Sequence, residues 1–239
     1  MPDIANTSRR KLIQAGGLVV VGAASWSIPA RAQGIVEKAK KAVGLGEEDV
    51  TPPEDLMREH GVLDRVLLIY EAGMHKFTAK QDFDPDVLTQ AANVVKDFIE
   101  NYHEKSEEDF LFPRFRKAGK LVDLVDTLAR QHEAGRRVTE RILRYAPQSG
   151  DDEGRAQLTL AMQAFITMYR PHAAREDTVL FPALRKIVSS HEFDSIGEDM
   201  EKQEHQKFGD DGFEKMAAHV GELEQRIGIA DLKQFTPSI

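Results

Sequence analysis

One phrase occurs twice in this chain. His103-Glu104-Lys105-Ser106-Glu107-Glu108, which leads to Phe112-Pro113, returns as His172-Ala173-Ala174-Arg175-Glu176-Asp177, which leads to Phe181-Pro182, with matching residues 69 positions apart. A second pair precedes each copy: Arg58-Glu59-His60 with Arg65-Val66 corresponds to Arg130-Gln131-His132 with Arg137-Val138, 72 positions apart. A chain repeated in this way is expected to fold as two like units related by a pseudo-twofold, each offering one lone histidine and one His-x-x-x-Glu.

Apolar periodicity places these phrases on helices. Leu56, His60, Leu63, Leu67, Tyr70 and Met74 follow one another at helical spacing, after a start at Thr51-Pro52-Pro53-Glu54 and ending before Asp82-Phe83-Asp84-Pro85. Further stripes run Leu88, Ala92, Val95, Ile99, His103, Glu107, Phe110, then Leu121, Val125, Leu128, His132, Gly135, Thr139, Ile142. After the turn around Pro147-Gln148-Ser149-Gly150, the last runs Leu158, Met162, Phe165, Tyr169, His172, Glu176, Leu180. Four amphipathic segments with short polar loops and no period-two pattern predict an all-α, up-down-up-down four-helix bundle. The expected boundaries are a signal peptide over 1–32, a linker over 33–50, the bundle over 51–190 and a C-terminal helical extension over 191–239. Phe112-Pro113 and Phe181-Pro182 read as helix-ending or bundle-capping features, and Pro171 predicts a kink beside His172.

The spacing has a chemical reason. Residues four apart on a helix lie nearly one above the other, so an imidazole and a carboxylate can reach the same small site. Two such helix pairs then bring four imidazoles and two carboxylates together inside the bundle. Burying six polar groups without partners is costly, and two divalent or trivalent cations would compensate them. With nitrogen and oxygen donors and no thiolate, iron is preferred over copper(I) or structural zinc, and manganese is a lesser possibility. A ferritin-like site would want two Glu-x-x-His motifs; Glu100-Asn101-Tyr102-His103 is one, but Tyr169 stands where the second glutamate should be.

Composition narrows the field. The chain of 239 residues has no cysteine, which excludes disulfides, thiolate-held clusters and thiol nucleophiles. Its formal charge is −8, with positives dispersed among negatives, so a nucleic-acid partner is not expected. Arg9, Arg10 and Lys11 precede the short apolar run Leu18-Val19-Val20-Val21-Gly22-Ala23-Ala24, and Ala30-Arg31-Ala32 offers a cleavage site after Ala32. Ser8-Arg9-Arg10-Lys11-Leu12-Ile13 resembles the twin-arginine export motif, which predicts a periplasmic or otherwise exported domain with no membrane span after processing.

At the residues quoted, from Leu56 to about Arg185, the sequence resembles the hemerythrin family, in its His-His-Glu cation-binding branch. Carried over by position, that resemblance implies His60, His103, Glu107, His132, His172 and Glu176 as metal ligands, with Glu107 and Glu176 bridging. One departure stands out: oxygen-carrying members place another histidine four residues after the third-helix one, and here that position is Arg136. Glu104, Glu108 and Asp177 adjoin the motif and read as solvated surface acids able to substitute, and His205 reads as a surface cap, becoming a further candidate only if the last helix folds over the pocket. His75, His191 and His219 show no matching pattern.

Four imidazoles and two bridging carboxylates would supply eight of the about twelve positions that two six-coordinate irons need. A bridging oxide or hydroxide would take two more. The expected function is therefore a di-iron protein that binds dioxygen or a related small oxidant for storage, delivery or sensing. The alternatives are a redox enzyme acting on peroxide or nitric oxide, with Tyr70, Tyr102 or Tyr169 beside the centre, and a structural bundle with no metal. A sensor would need a separate redox or signalling partner.

Overall fold

The computed structural model describes residues 50–237. The expected signal peptide and nearly all of the expected linker lie outside the described residues. The chain divides after Thr51 into two units, and among the described residues of the second, Pro52–Ile239, there are six helices, apart from short 3₁₀ turns, and no strand. They are α1 (Pro52–Thr78), α2 (85–118), α3 (Val122–Tyr145), α4 (152–184), α5 (Ser190–Phe208) and α6 (Gly212–Ile227). Short turns join them, so α1 to α4 form the predicted all-α bundle.

Local chemistry sets the helix starts. Asp84 accepts the Asp86 N–H ahead of Pro85, Asp151 accepts the Gly154 N–H at 2.7 Å, and Ser189 accepts the Glu192 N–H at 3.2 Å. Each side chain satisfies a donor that has no partner inside its own helix.

The two helices that carry His-x-x-x-Glu are not regular. Glu107–Leu111 and Glu176–Leu180, equivalent in the repeat, are single π-helical turns, and α2 carries a second π stretch at Val95–His103. Phe112 N–H bonds the Glu107 carbonyl and Phe181 N–H the Glu176 carbonyl, one residue further back than an α-helix would reach. The next residues, Pro113 and Pro182, have no N–H with which to resume the ladder at once. These prolines therefore do not end the helices; short α-helical pieces, Phe112–Ala118 and Phe181–Leu184, continue beyond. The departure expected at Pro171 comes one turn later, since α-helical bonding runs through it to Arg175. Pro171 is exposed, so its missing N–H falls on the solvent side.

The polar residues split the core into two. One cluster runs from Val62 and Leu67 through Phe98, Tyr102 and Ile142 to Met162, Phe165 and Tyr169. The other gathers Leu56, Leu111, Phe112, Val125, Leu128, Leu180 and Phe181. On all four bundle helices the histidine or His-x-x-x-Glu falls between members of the two clusters, so the candidate ligands form one layer. The C-terminal helices complete both clusters: Phe193, Ile196 and Met200 of α5 join the second, Val220 and Leu223 of α6 the first. Arg65 of α1 clamps Glu224 of α6 with bonds of 2.9 and 2.6 Å.

Candidate metal centre

All six predicted residues lie in that layer, each no more than 3% exposed. One ligating atom from each of His60, His103 and Glu176 lies within 4.8 Å of the others, and the same holds for His132, His172 and Glu176. Glu176 Oε2 is 3.4 Å from His60 Nε2 and 3.1 Å from His172 Nε2, while Glu107 Oε2 is 3.8 Å from His103 Nε2 and 3.4 Å from His132 Nε2. Each carboxylate thus faces one imidazole from either cluster, the arrangement a bridging ligand requires. The pseudo-twofold is visible in the rings as well. His60 and His103 have centroids 4.6 Å apart and His132 and His172 5.0 Å apart; Phe181 stacks on His60 at 5.6 Å and Phe112 on His132 at 5.4 Å.

What fixes the imidazoles is a second ring of acceptors. His60 Nδ1 lies 2.7 Å from Asp177 Oδ1, His103 Nδ1 2.8 Å from Glu59 Oε2, His132 Nδ1 3.1 Å from Glu108 Oε1, and His172 Nδ1 2.9 Å from Gln131 Oε1. Ionised carboxylates and an amide oxygen can only accept, so each Nδ1 carries the proton and donates it. Every Nε2 is then turned to the interior. This is the outer arrangement that metal-ligating histidines need.

The inner faces are left short of partners. Both oxygens of Glu107 and of Glu176, and Nε2 of His103 and of His132, are buried without a hydrogen bond. Electrostatics strains the same groups. Burial and then the charge of Glu176 push Glu107 up to about 8. Burial works against the charge of Glu176 too, but His172 and His60 outweigh it and hold that carboxyl well below the usual range. Burial also opposes charge on His60, yet Asp177 and Glu176 raise it to about 10, whereas burial and the neighbouring His60 drive His103 well below its ordinary value. Groups so divided would be answered together by two cations in their midst, so the residues present fit a metal pair.

Arg136 has its own task. Its guanidinium lies 2.9 Å from Glu104 Oε2 and 2.7 Å from Glu108 Oε1, and Tyr169 donates its hydroxyl to Glu104 Oε1 at 2.5 Å. Glu104, Glu108 and His132 also converge closely enough to hold an ion, but here the chain supplies its own cation in Arg136.

Several sequence expectations are corrected. Glu104 is 1% exposed and Glu108 and Asp177 are half-buried and aimed at imidazoles, so none is a solvated surface acid. His205, a candidate only if the last helix covered the pocket, is instead the surface residue of the main expectation: it is exposed and pairs with Asp210 at 3.0 Å, because α5 packs its Phe193 and Ile196 side inward. Phe112 and Phe181 wall the centre rather than only cap it. Of the three tyrosines, Tyr169 reaches the centre, with its ring 5.4 Å from His172; Tyr70 packs on Phe165 and Tyr102 on Phe98 and Phe208. Reasoning from sequence missed the acceptors Glu59 and Gln131, although both stand beside a histidine in the quoted repeat.

Comparison with known proteins gives a consistent picture. The family model for the hemerythrin HHE cation binding domain matches twice, over residues 51–184, which hold α1 to α4, and over 123–235, which run from α3 past α6. An uncharacterized protein of Mycobacterium bovis and one of Mycobacterium tuberculosis are each 41% identical to this chain over 240 residues, covering 98% of it and 92% of the relative. No solved structure matches the chain.

Proposed function

Since the chain belongs to the hemerythrin HHE cation-binding family, we propose that it holds a pair of iron ions and uses them to bind dioxygen or a related small oxidant for storage, delivery or sensing. The observation that carries this reading is the ring of Nδ1 contacts. Four acceptors turn four imidazoles so that their Nε2 atoms converge on two buried carboxylates. His60, His103, Glu107, His132, His172 and Glu176 would hold the irons; manganese satisfies the same donors less well. Bound iron would supply an electron-rich site with positions left over for a small oxidant. The chain's part is to orient the imidazoles, to exclude bulk water with Phe112 and Phe181, and to keep both carboxylates shared.

One observation favours a second reading, a redox enzyme acting on peroxide or nitric oxide: a buried phenol, Tyr169, is hydrogen-bonded to the buried Glu104 beside His172. The N-terminal Ser8-Arg9-Arg10-Lys11-Leu12-Ile13 supports export of a folded bundle to the periplasm. The test is metal analysis of purified protein with optical spectra. Two irons per chain, near-ultraviolet charge-transfer absorption and a reduced form that returns on deoxygenation are expected. Sustained consumption of peroxide or nitric oxide would favour the enzyme. Failure to take up any metal would leave a structural bundle.

A further inference from the structure

The two halves of the centre match in what they present to a cation and differ in what stands behind it. At the first cluster, His60 donates to Asp177 and His103 to Glu59, both carboxylates. At the second, His172 donates to Gln131, a neutral amide, and His132 to Glu108, whose same oxygen also receives Arg136. Gln131 occupies the repeat position of Glu59, and Glu108 that of Asp177, so the asymmetry lies in chemistry and not in placement. The position four residues after each lone histidine sharpens it: Asp64 follows His60, while Arg136 follows His132. Two carboxylates, Glu59 and Asp177, therefore stand directly behind the first cluster, and Asp64 lies close enough to His60 to feel its charge, with Arg170 also facing that acid. Behind the second stand Glu104 and Glu108 with a guanidinium between them.

An imidazole whose Nδ1 proton is drawn toward a carboxylate is a stronger donor at Nε2 than one backed by an amide, and a fixed positive charge nearby disfavours a second one. We propose that the two cation positions are unequal: the one formed by His60, His103 and Glu176 binds tightly and fills first, and the one formed by His132, His172 and Glu176 fills second and exchanges more readily. This rests on the reading that the centre takes two cations, and it assigns to Glu59, Gln131 and Arg136 the setting of their relative affinities. Loss of an outer partner of this kind changes metal affinity by about 10- to 100-fold, which sets the scale of the gap. A chain carrying one cation then holds it beside His60 and His103, and the labile position lies on the side of Tyr169 and Arg136.

The test uses the full chain, stripped of metal and titrated with Co²⁺ alone, followed by calorimetry and by visible absorption. Two resolved steps, separated by about 10-fold or more, are expected. Gln131→Glu should tighten the weaker step and leave the stronger unchanged, and Glu59→Gln should weaken the stronger until the two merge. Both exchanges are isosteric, and circular dichroism checks that the fold persists; the wild-type titration tests the idea on its own. Uptake of two ions in indistinguishable steps, or a Glu59→Gln effect on the weaker step only, overturns the inequality while leaving the metal pair intact. No uptake at all overturns both readings.

Discussion

The ring of Tyr169 crosses α3 at Gly135, so close that a Cβ on Gly135 would overlap the phenolic oxygen. Only glycine leaves room there for the hydroxyl to reach Glu104 of α2. Gly135→Ala should displace the ring, break that hydrogen bond and destabilise the fold by about 1–3 kcal/mol. Tyr169→Phe should cost a similar amount by leaving Glu104 Oε1 without its donor. Because the two changes act on one contact, their costs in chemical denaturation should not add; strict additivity would show that Gly135 and Tyr169 are uncoupled.

Glu107 reaches an imidazole of each cluster, so its loss should remove the pairing and not merely one ligand. Glu107→Leu should leave at most one tightly held ion per chain by metal analysis. Its metal-free form should nonetheless be more stable than the parent by about 1–3 kcal/mol, because neither oxygen of the buried carboxylate makes a hydrogen bond. Two ions retained in this variant would refute the bridging role.

The layered fold and the inner residues were legible because their signals are periodic. An inward histidine at helical spacing, repeated with a glutamate one turn on, specifies both the helix face and the depth in the bundle. Less visible were groups whose role depends on a neighbouring helix. Glu59 serves His103 and Gln131 serves His172, each reaching across from the helix before, and nothing along one helix reveals such a pair. Glu104, Glu108 and Asp177 read as surface acids because charged residues beside a motif are most often solvated; their partners, Arg136 and Tyr169 for the first two and His60 for Asp177, stand more than 25 residues away in sequence. The π turns were hidden as well, since a single added residue per turn hardly disturbs the apolar period, although Phe-Pro after each glutamate marked the place.

Phe181 and Phe112 are equivalent in the repeat, and each lies nearly parallel to the lone imidazole of the other half. Either one replaced by alanine should cost about 3–5 kcal/mol, from lost burial and the cavity left behind. The pseudo-twofold predicts that the two costs agree to within about 1 kcal/mol, as both side chains are fully enclosed in the same core cluster. A strongly one-sided result in thermal or denaturant unfolding would show that the halves are not mechanically alike.

Without metal, the centre should make the protein sensitive to rising pH. His60 is lifted from 6.5 to about 10, as Asp177 and Glu176 overcome burial, so its stabilising contribution is complete below about pH 6.5 and is lost through about pH 10. His132 is displaced upward as well, against burial, chiefly by Glu104 and Glu107. Burial raises Glu107 to about 8 and Glu100 to about 7; each needs its proton when folded, so each weakens the fold as pH climbs from 4.5 toward those values. Acid acts oppositely on Glu108, which His132 and Arg136 hold down at about 2 despite burial and whose contribution fades as pH falls from 4.5. The metal-free melting temperature should therefore be highest near about pH 5–6 and fall steadily toward pH 10. Cations replace those protons, so loading should release protons and the gain in melting temperature on adding metal should widen as pH rises. Scanning fluorimetry of loaded and stripped protein checks this, with His60→Asn as the variant that should flatten the alkaline fall. A stripped protein whose melting temperature holds constant between about pH 7 and 10 would show that His60, His132 and Glu107 do not hold their protons in the way their surroundings require.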